Sequence, residues 1–129
     1  GFALMGISAA RMHHVTPRAV GVAVVAAPRR RKTIELIDRR AAVRFLVRDL
    51  EVMDLALMET DLGRCLVTTP EQTLLDLSHR AGQRGLTEDV AAAMRALAPL
   101  CDPEELEVIA GRQRLGRALG RLRREGLVP

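Results

Sequence analysis

Apolar residues keep two different rhythms along this chain, and the change near residue 68 divides it. In the first part they fall in short, β-rich runs. Val20, Val22, Val24 and Val25, separated by small residues, read as a buried strand. Ser8, ahead of Ala9, Ala10, Arg11 and Met12, reads as the cap of a short helix reaching His14. Thr16-Pro17 stops that helix, because proline disfavours helical geometry at the residue before it. Residues 28–32 form a basic turn, and Ile34-Glu35-Leu36 a weakly alternating strand. Val43, Phe45 and Val47 alternate with Arg44, Leu46 and Arg48, a clearer half-buried strand. Apolar runs at 57–62 and 65–68 flank Gly63-Arg64 and predict a hairpin turning there.

After residue 68 the spacing becomes helical. Thr69 suits an N-cap, Pro70 the first helical position, and Gln72 completes a capping box. Leu74, Leu77 and Ala81 then share a face with Leu75 beside them, and Gly82 and Gly85 end the helix. Thr87 caps a second helix carrying Val90, Ala91, Met94, Leu97 and Ala98, closed by Pro99. Asp102-Pro103 opens a third that ends at Gly111. A last helix over 112–125 sets Leu115, Leu119 and Leu122 against Arg114, Arg117, Arg121 and Arg124 on the opposite face. Strands first and helices afterwards predict a single α+β domain over 1–129. Its expected form is a small, mostly antiparallel sheet of four or five strands after a short N-terminal helix, followed by three or four C-terminal helices.

Composition constrains the core more than the fold. The chain has 129 residues, no Trp or Tyr and two Phe, so Leu, Val, Ile, Ala and Met must fill the interior. That length supports a core without disulfide or metal. Cys65 and Cys101 lie far apart with no CxxC spacing, which predicts reduced, half-buried thiols and a cytoplasmic protein. The apolar run at 19–27 is far shorter than the roughly 20 residues that span a bilayer, so no membrane partner is expected. Residues 1–6 read as the continuation of an upstream segment.

Charge is segregated. Residues 1–40 carry a net +6, residues 41–110 a net −7 and residues 111–129 a net +5. Such asymmetry suits a polyanion or an acidic protein. Arg29, Arg30, Arg31 and Lys32 form the densest basic cluster, with Arg18 nearby. A solvated loop and a row of phosphate contacts are both open readings for it. The arginine face of the last helix is likewise either a surface face or a docking face.

No catalytic constellation stands out. The only lysine is Lys32, so neither a P-loop nor an acid–acid–Lys nuclease centre is present. There is no GxSxG elbow and no GxGxxG loop. The Gly-Ser loop and paired aspartates of nucleotidyl transfer are missing too. His13 and His14 are adjacent and point to different sides of a helix, a poor metal site even with Cys65 or His79; His13 is expected to pack and His14 to be solvated. Asp76 is expected to meet a neighbouring loop or Arg80. The reading is of a protein that is not an enzyme and needs no cofactor or metal.

A resemblance sharpens this. Ser8-Ala9-Ala10-Arg11-Met12-His13, Thr16-Pro17-Arg18 and the valine strand ending in Pro28-Arg29-Arg30 are similar to the start of the C-terminal domain of AbiEi-type antitoxins. Val43-Arg44-Phe45, Arg48-Asp49-Leu50, Asp54, Leu62-Gly63 and the stretch from Leu66 through Thr69-Pro70-Glu71-Gln72 to Asp76-Leu77 resemble that family's signature. The match runs from residue 7 to about residue 81. Where the family often has glycine after the histidine, this chain has His14, a change expected to affect loop geometry only. The resemblance implies an antitoxin and transcriptional autoregulator of a bacterial toxin–antitoxin or phage-defence system. It implies a nucleotidyltransferase-like toxin as partner, and operator DNA held mainly through an upstream winged helix absent here. A homodimer, a ligand-sensing module and a nuclease-like nucleic-acid-processing domain remain alternatives. Candidate contact residues are Arg18, Arg29, Arg30, Arg31, Lys32, Arg114, Arg117, Arg121 and Arg124. Thr69, Pro70, Gln72 and Asp76 form a structural motif.

Overall fold

In a computed structural model, residues 1–15, 22–36, 41–60 and 63–129 are described. The order is β1 (Ala3–Leu4), α1 (Gly6–Met12), β2 (Val22–Ala27), β3 (Ile34–Leu36), β4 (Ala41–Val47), β5 (Leu55–Thr60) and β6 (Gly63–Thr68). Then come α2 (Pro70–Arg84), α3 (Glu88–Leu97), a single 3-10 turn, α4 (Pro103–Gln113) and α5 (Gly116–Arg124). The class is α+β, as the switch of rhythm predicts.

The sheet departs from expectation. Its order is β3-β4-β2-β1-β6-β5, six strands among the described residues. It is mixed: β2 runs parallel to β4 and β1 parallel to β6, while the other three pairings are antiparallel. The sixth strand is β1, which precedes the first helix. Two residues give no periodicity to read, yet Ala3 and Leu4 pair on both sides and join the two halves of the sheet. The β5–β6 turn is also displaced. Gly63 pairs with Thr60 and Arg64 with Glu59, so both belong to the ladder. The connection is residues 61–62, outside the described residues.

Several helix boundaries also move. Ser8 caps nothing. It lies inside α1, and its Oγ accepts from the Val24 backbone N–H at 2.8 Å, fastening the helix to β2. Gly82 is internal to α2, which runs on to a cap at Gly85, φ 86°. Gly111 is likewise internal to α4. Arg114 adopts φ 57° and breaks the expected last helix, so Arg112 and Gln113 finish α4 and α5 starts only at Gly116. The caps at Thr69, Thr87 and Asp102 form as expected, each side-chain oxygen accepting a backbone N–H of the first turn.

The helices gather around α2, which touches α1, α3, α4 and α5. Their common core includes Leu74, Leu75, Leu77, Met94, Leu97, Leu106, Ile109 and Leu122. A smaller cluster of Ala3, Met5, Ala26 and Met53 packs with Val24, Leu46, Leu50, Leu55 and Leu66. Among the described residues no helix is long and apolar enough to cross a membrane.

Candidate functional site

The signature around residue 69 builds a buried polar network. Thr69 Oγ1 accepts from Gln72 N–H and donates to Asp54 Oδ2 at 2.7 Å, while Thr69 N–H donates to Asp54 O. Gln72 does not close the expected capping box. Its side chain is fully buried, and Oε1 accepts from the Asp54 N–H at 2.9 Å. Gln72 also exchanges hydrogen bonds with the amide of Gln113, and Nε2 donates to Asp76 Oδ1 at 3.1 Å. Gln113 Nε2 donates to Val52 O at 2.9 Å. One set of side chains thus ties the 48–54 connection to α2 and α4.

Of the two expected partners, Asp76 meets the neighbouring loop and not Arg80. Arg48 Nη1 donates to Asp76 Oδ1 at 3.0 Å, and Arg48 Nη2 donates to Gln113 Oε1 at 3.1 Å. Asp76 Oδ2 is buried and has no partner among the described residues. Burial raises the Asp76 pKa above the usual carboxylate value; Arg48 opposes that rise, helped by Gln72 and His79.

Beside the network lies a cleft of about 620 Å³ between the sheet and helices α1, α2 and α3. Arg44, Leu46 and Arg48 of the β4 alternation line it. The side of this strand that sequence assigns to the polar positions therefore faces the helices, while Val47 is 58% exposed. Arg80 and Arg84 line the opposite wall, one helical turn apart. Among the described residues Arg44, Arg80 and Arg84 have no acidic partner. Burial, then the like charges of Arg44 and Arg84, push the Arg80 pKa below the usual arginine value. Met5, Val24, Leu46, Leu77 and Val90 give the cleft apolar surface.

The residues singled out from sequence lie elsewhere. Arg18 falls outside the described residues. Arg29, Arg30, Arg31 and Lys32 are exposed after β2, with the Arg31 guanidinium 4.8 Å over the Phe2 ring. Arg114, Arg117 and Arg124 are exposed. Arg121 is half-buried and lies on α2: a Cβ at Gly82 would sit 2.5 Å from its Nη2. Arg121 is therefore a packing residue rather than a free cation. Arg123, which sequence reading passed over, donates to Glu107 at 2.7 Å. Sequence reading also missed the cleft set Arg44, Arg48, Arg80 and Arg84. The i,i+4 stripe Asp76–Arg80–Arg84 and the Arg44/Arg48 alternation were the available signals.

His13 Nε2 donates to Thr68 O at 2.8 Å, whereas His14 is exposed with φ 62°, a conformation that favours glycine. Both cysteines are free and half-buried. Burial first, then Glu71, pushes the Cys101 thiol up to about 12. No group of His, Cys, Asp or Glu among the described residues is placed to hold a metal ion.

The family described as AbiEi antitoxin C-terminal domain matches residues 2–124. The chain belongs to that family. The match extends past the residues that carry the resemblance and takes in α3, α4 and all of α5. No curated protein has a matching sequence. Among solved structures, an antigenic nucleotidyltransferase-like protein from Paracoccidioides brasiliensis is similar, with TM-score 0.66 and 13% identity over 97% of this chain and 80% of that one. At that identity the likeness concerns the fold alone. In this AbiEi domain, the Thr69–Asp76 stretch holds the 48–54 connection in place.

Proposed function

We propose that this domain, in the toxin–antitoxin context that AbiEi membership supports, neutralises a nucleotidyltransferase-like toxin in the bacterial cytoplasm and supports transcriptional autoregulation. The operator is gripped mainly by a winged helix upstream, and the basic turn adds phosphate contacts. The observation that carries the DNA part is the exposed turn Arg29, Arg30 and Lys32, which has no acidic partner among the described residues. Uncompensated cations in a short turn repel one another, and a polyanion relieves that repulsion. The exposed Arg114, Arg117 and Arg124 are assigned to the toxin.

The domain is proposed to do no catalysis. The sequence lacks the paired aspartates of nucleotidyl transfer, and in the cleft Asp76 is engaged by Arg48. Promoter binding by the full-length protein tests the DNA part. Replacing Arg29, Arg30 and Lys32 with Ala is expected to flatten the log K against log salt slope by about 2–3. An unchanged slope overturns the assignment. Growth rescue on co-expression with the toxin tests the other part, and R114A/R117A/R124A is expected to lose rescue while keeping promoter binding.

A further inference from the structure

The cleft holds more positive charge than its own residues balance. Arg44, Arg48, Arg80 and Arg84 line it against two carboxylates: Asp76, which pairs with Arg48, and Asp89, which pairs with no arginine among the described residues. Arg44 and Arg80 are half-buried, so water screens their mutual repulsion less than it would at the open surface. Arg84 is exposed but lies close enough to Arg80 to add to that repulsion, and an anion bound among the three guanidiniums relieves it. Arginine forks suit phosphate oxygens in particular, since each offers paired N–H donors.

Two further features define the rest of the ligand. The recess is too large for an inorganic ion alone: at about 620 Å³ it falls within the range of small-molecule sites. Part of its wall is apolar, from Met5, Val24, Leu46, Leu77 and Val90. Beside that wall, the buried Asp76 Oδ2 has no partner among the described residues. A buried acceptor left unmatched is uncommon in a folded protein and calls for a donor. The ligand therefore has a polyanionic end, a flat or apolar middle and a hydroxyl or amino donor.

We infer that this cleft binds a nucleoside polyphosphate, with its phosphates on Arg44, Arg80 and Arg84 and its nucleoside against the apolar wall near Asp76. The site is separate from the basic turn and from the exposed arginines of α5, so it gives the antitoxin domain a small-molecule input that neither toxin nor operator contact requires. Binding involves no bond making or breaking.

Calorimetric titration of the chain with each of the four ribonucleoside triphosphates tests this, with sodium tripolyphosphate and an oligonucleotide lacking a terminal phosphate as comparison probes. At least one nucleotide is expected to bind at one per chain. R80Q and R84Q are each expected to weaken it about tenfold or more, as loss of a charge-assisted bond implies. R95Q, on the exposed part of α3, should leave binding unchanged. Tripolyphosphate should bind at least tenfold more weakly than the nucleotide, because it leaves the apolar wall uncovered. Circular dichroism melts confirm that the variants fold. Failure of all four nucleotides to bind at millimolar concentration overturns the proposal. So does binding that is insensitive to R80Q and R84Q, tripolyphosphate binding as tight as the nucleotide, or equal competition by the oligonucleotide.

Discussion

The helical half and the sheet half of this domain are held together by different physics. Around α2, large aliphatic side chains interlock: Leu74, Leu75, Leu97 and Leu122 are fully buried. Beneath the 48–54 connection, the sheet buries mainly Ala3, Met5, Ala26 and Met53, with half-buried Leu46, Leu50, Leu55 and Leu66 at the margin. Two alanines and two methionines bury less area than the leucine-rich helical core, so this side relies more on the amide and carboxylate network running from Asp54 through Gln72 to Gln113 and Arg48. The contrast shows where function can sit at low cost. The leucine core is closed, whereas a cleft opens where the thinner sheet side meets the helices, with unpaired Arg44 from β4 and Arg80 and Arg84 from α2.

The comparison breaks if the two halves respond alike to truncation. Leu122→Ala should destabilise by about 3–5 kcal/mol and Leu46→Ala by about 1–2 kcal/mol, measured by urea unfolding. Equal losses would mean that the sheet cluster carries as much as the helical core. Next in size is Gln72→Ala. It strands the Asp54 N–H and one side of the Gln113 amide, with an expected cost of about 2–3 kcal/mol. In a double-mutant cycle with Gln113→Ala the losses should be clearly less than additive, because both variants remove the same bonds. Additivity would dissolve the network into independent contacts.

Asp76 gives a smaller, pH-dependent effect. Its pKa in the folded chain is raised above the ordinary 3.8, so the fold holds that proton more tightly than the unfolded chain does. The resulting stabilisation is complete below 3.8 and is lost as pH rises through the folded pKa. Asp76→Asn mimics the protonated form. It should match the parent near pH 4 and have the higher Tm near pH 7. A lower Tm at neutral pH would show that attraction to Arg48 outweighs burial. The smallest effect is expected at His14, whose φ of 62° suits glycine. His14→Gly should raise stability by no more than about 1 kcal/mol, since relief of backbone strain is partly offset by a freer unfolded chain.

Local chemistry made much of the helical half legible. Thr69-Pro70, Thr87 and Asp102-Pro103 each carry a cap signal within four residues, and all three helices begin where those residues stand. The family signature was legible as well. What sequence hid was long-range. β1 is two residues long and pairs with partners far along the chain, so no periodicity announces it. Gln72 reads as a capping residue because its distant partners Asp54 and Gln113 are invisible in sequence. The cleft arginines are scattered over β4, the residue after it and α2, and they meet only where the helix packs on the sheet. Arg121 looked free because its packing against Gly82 depends on how α5 crosses α2.

The two-residue strand β1 has a consequence in time. It lies between β2 and β6, and its Ala3 pairs with Ala26 on one side and Leu66 on the other. As the chain leaves the ribosome, β2 arrives soon after β1, but β6 only some forty residues later. At synthesis rates of roughly 5–20 residues per second, β1 waits several seconds with one hydrogen-bonding edge open. An open edge accepts any passing strand, so the newborn domain is most prone to mispairing before Leu66 and Val67 reach it.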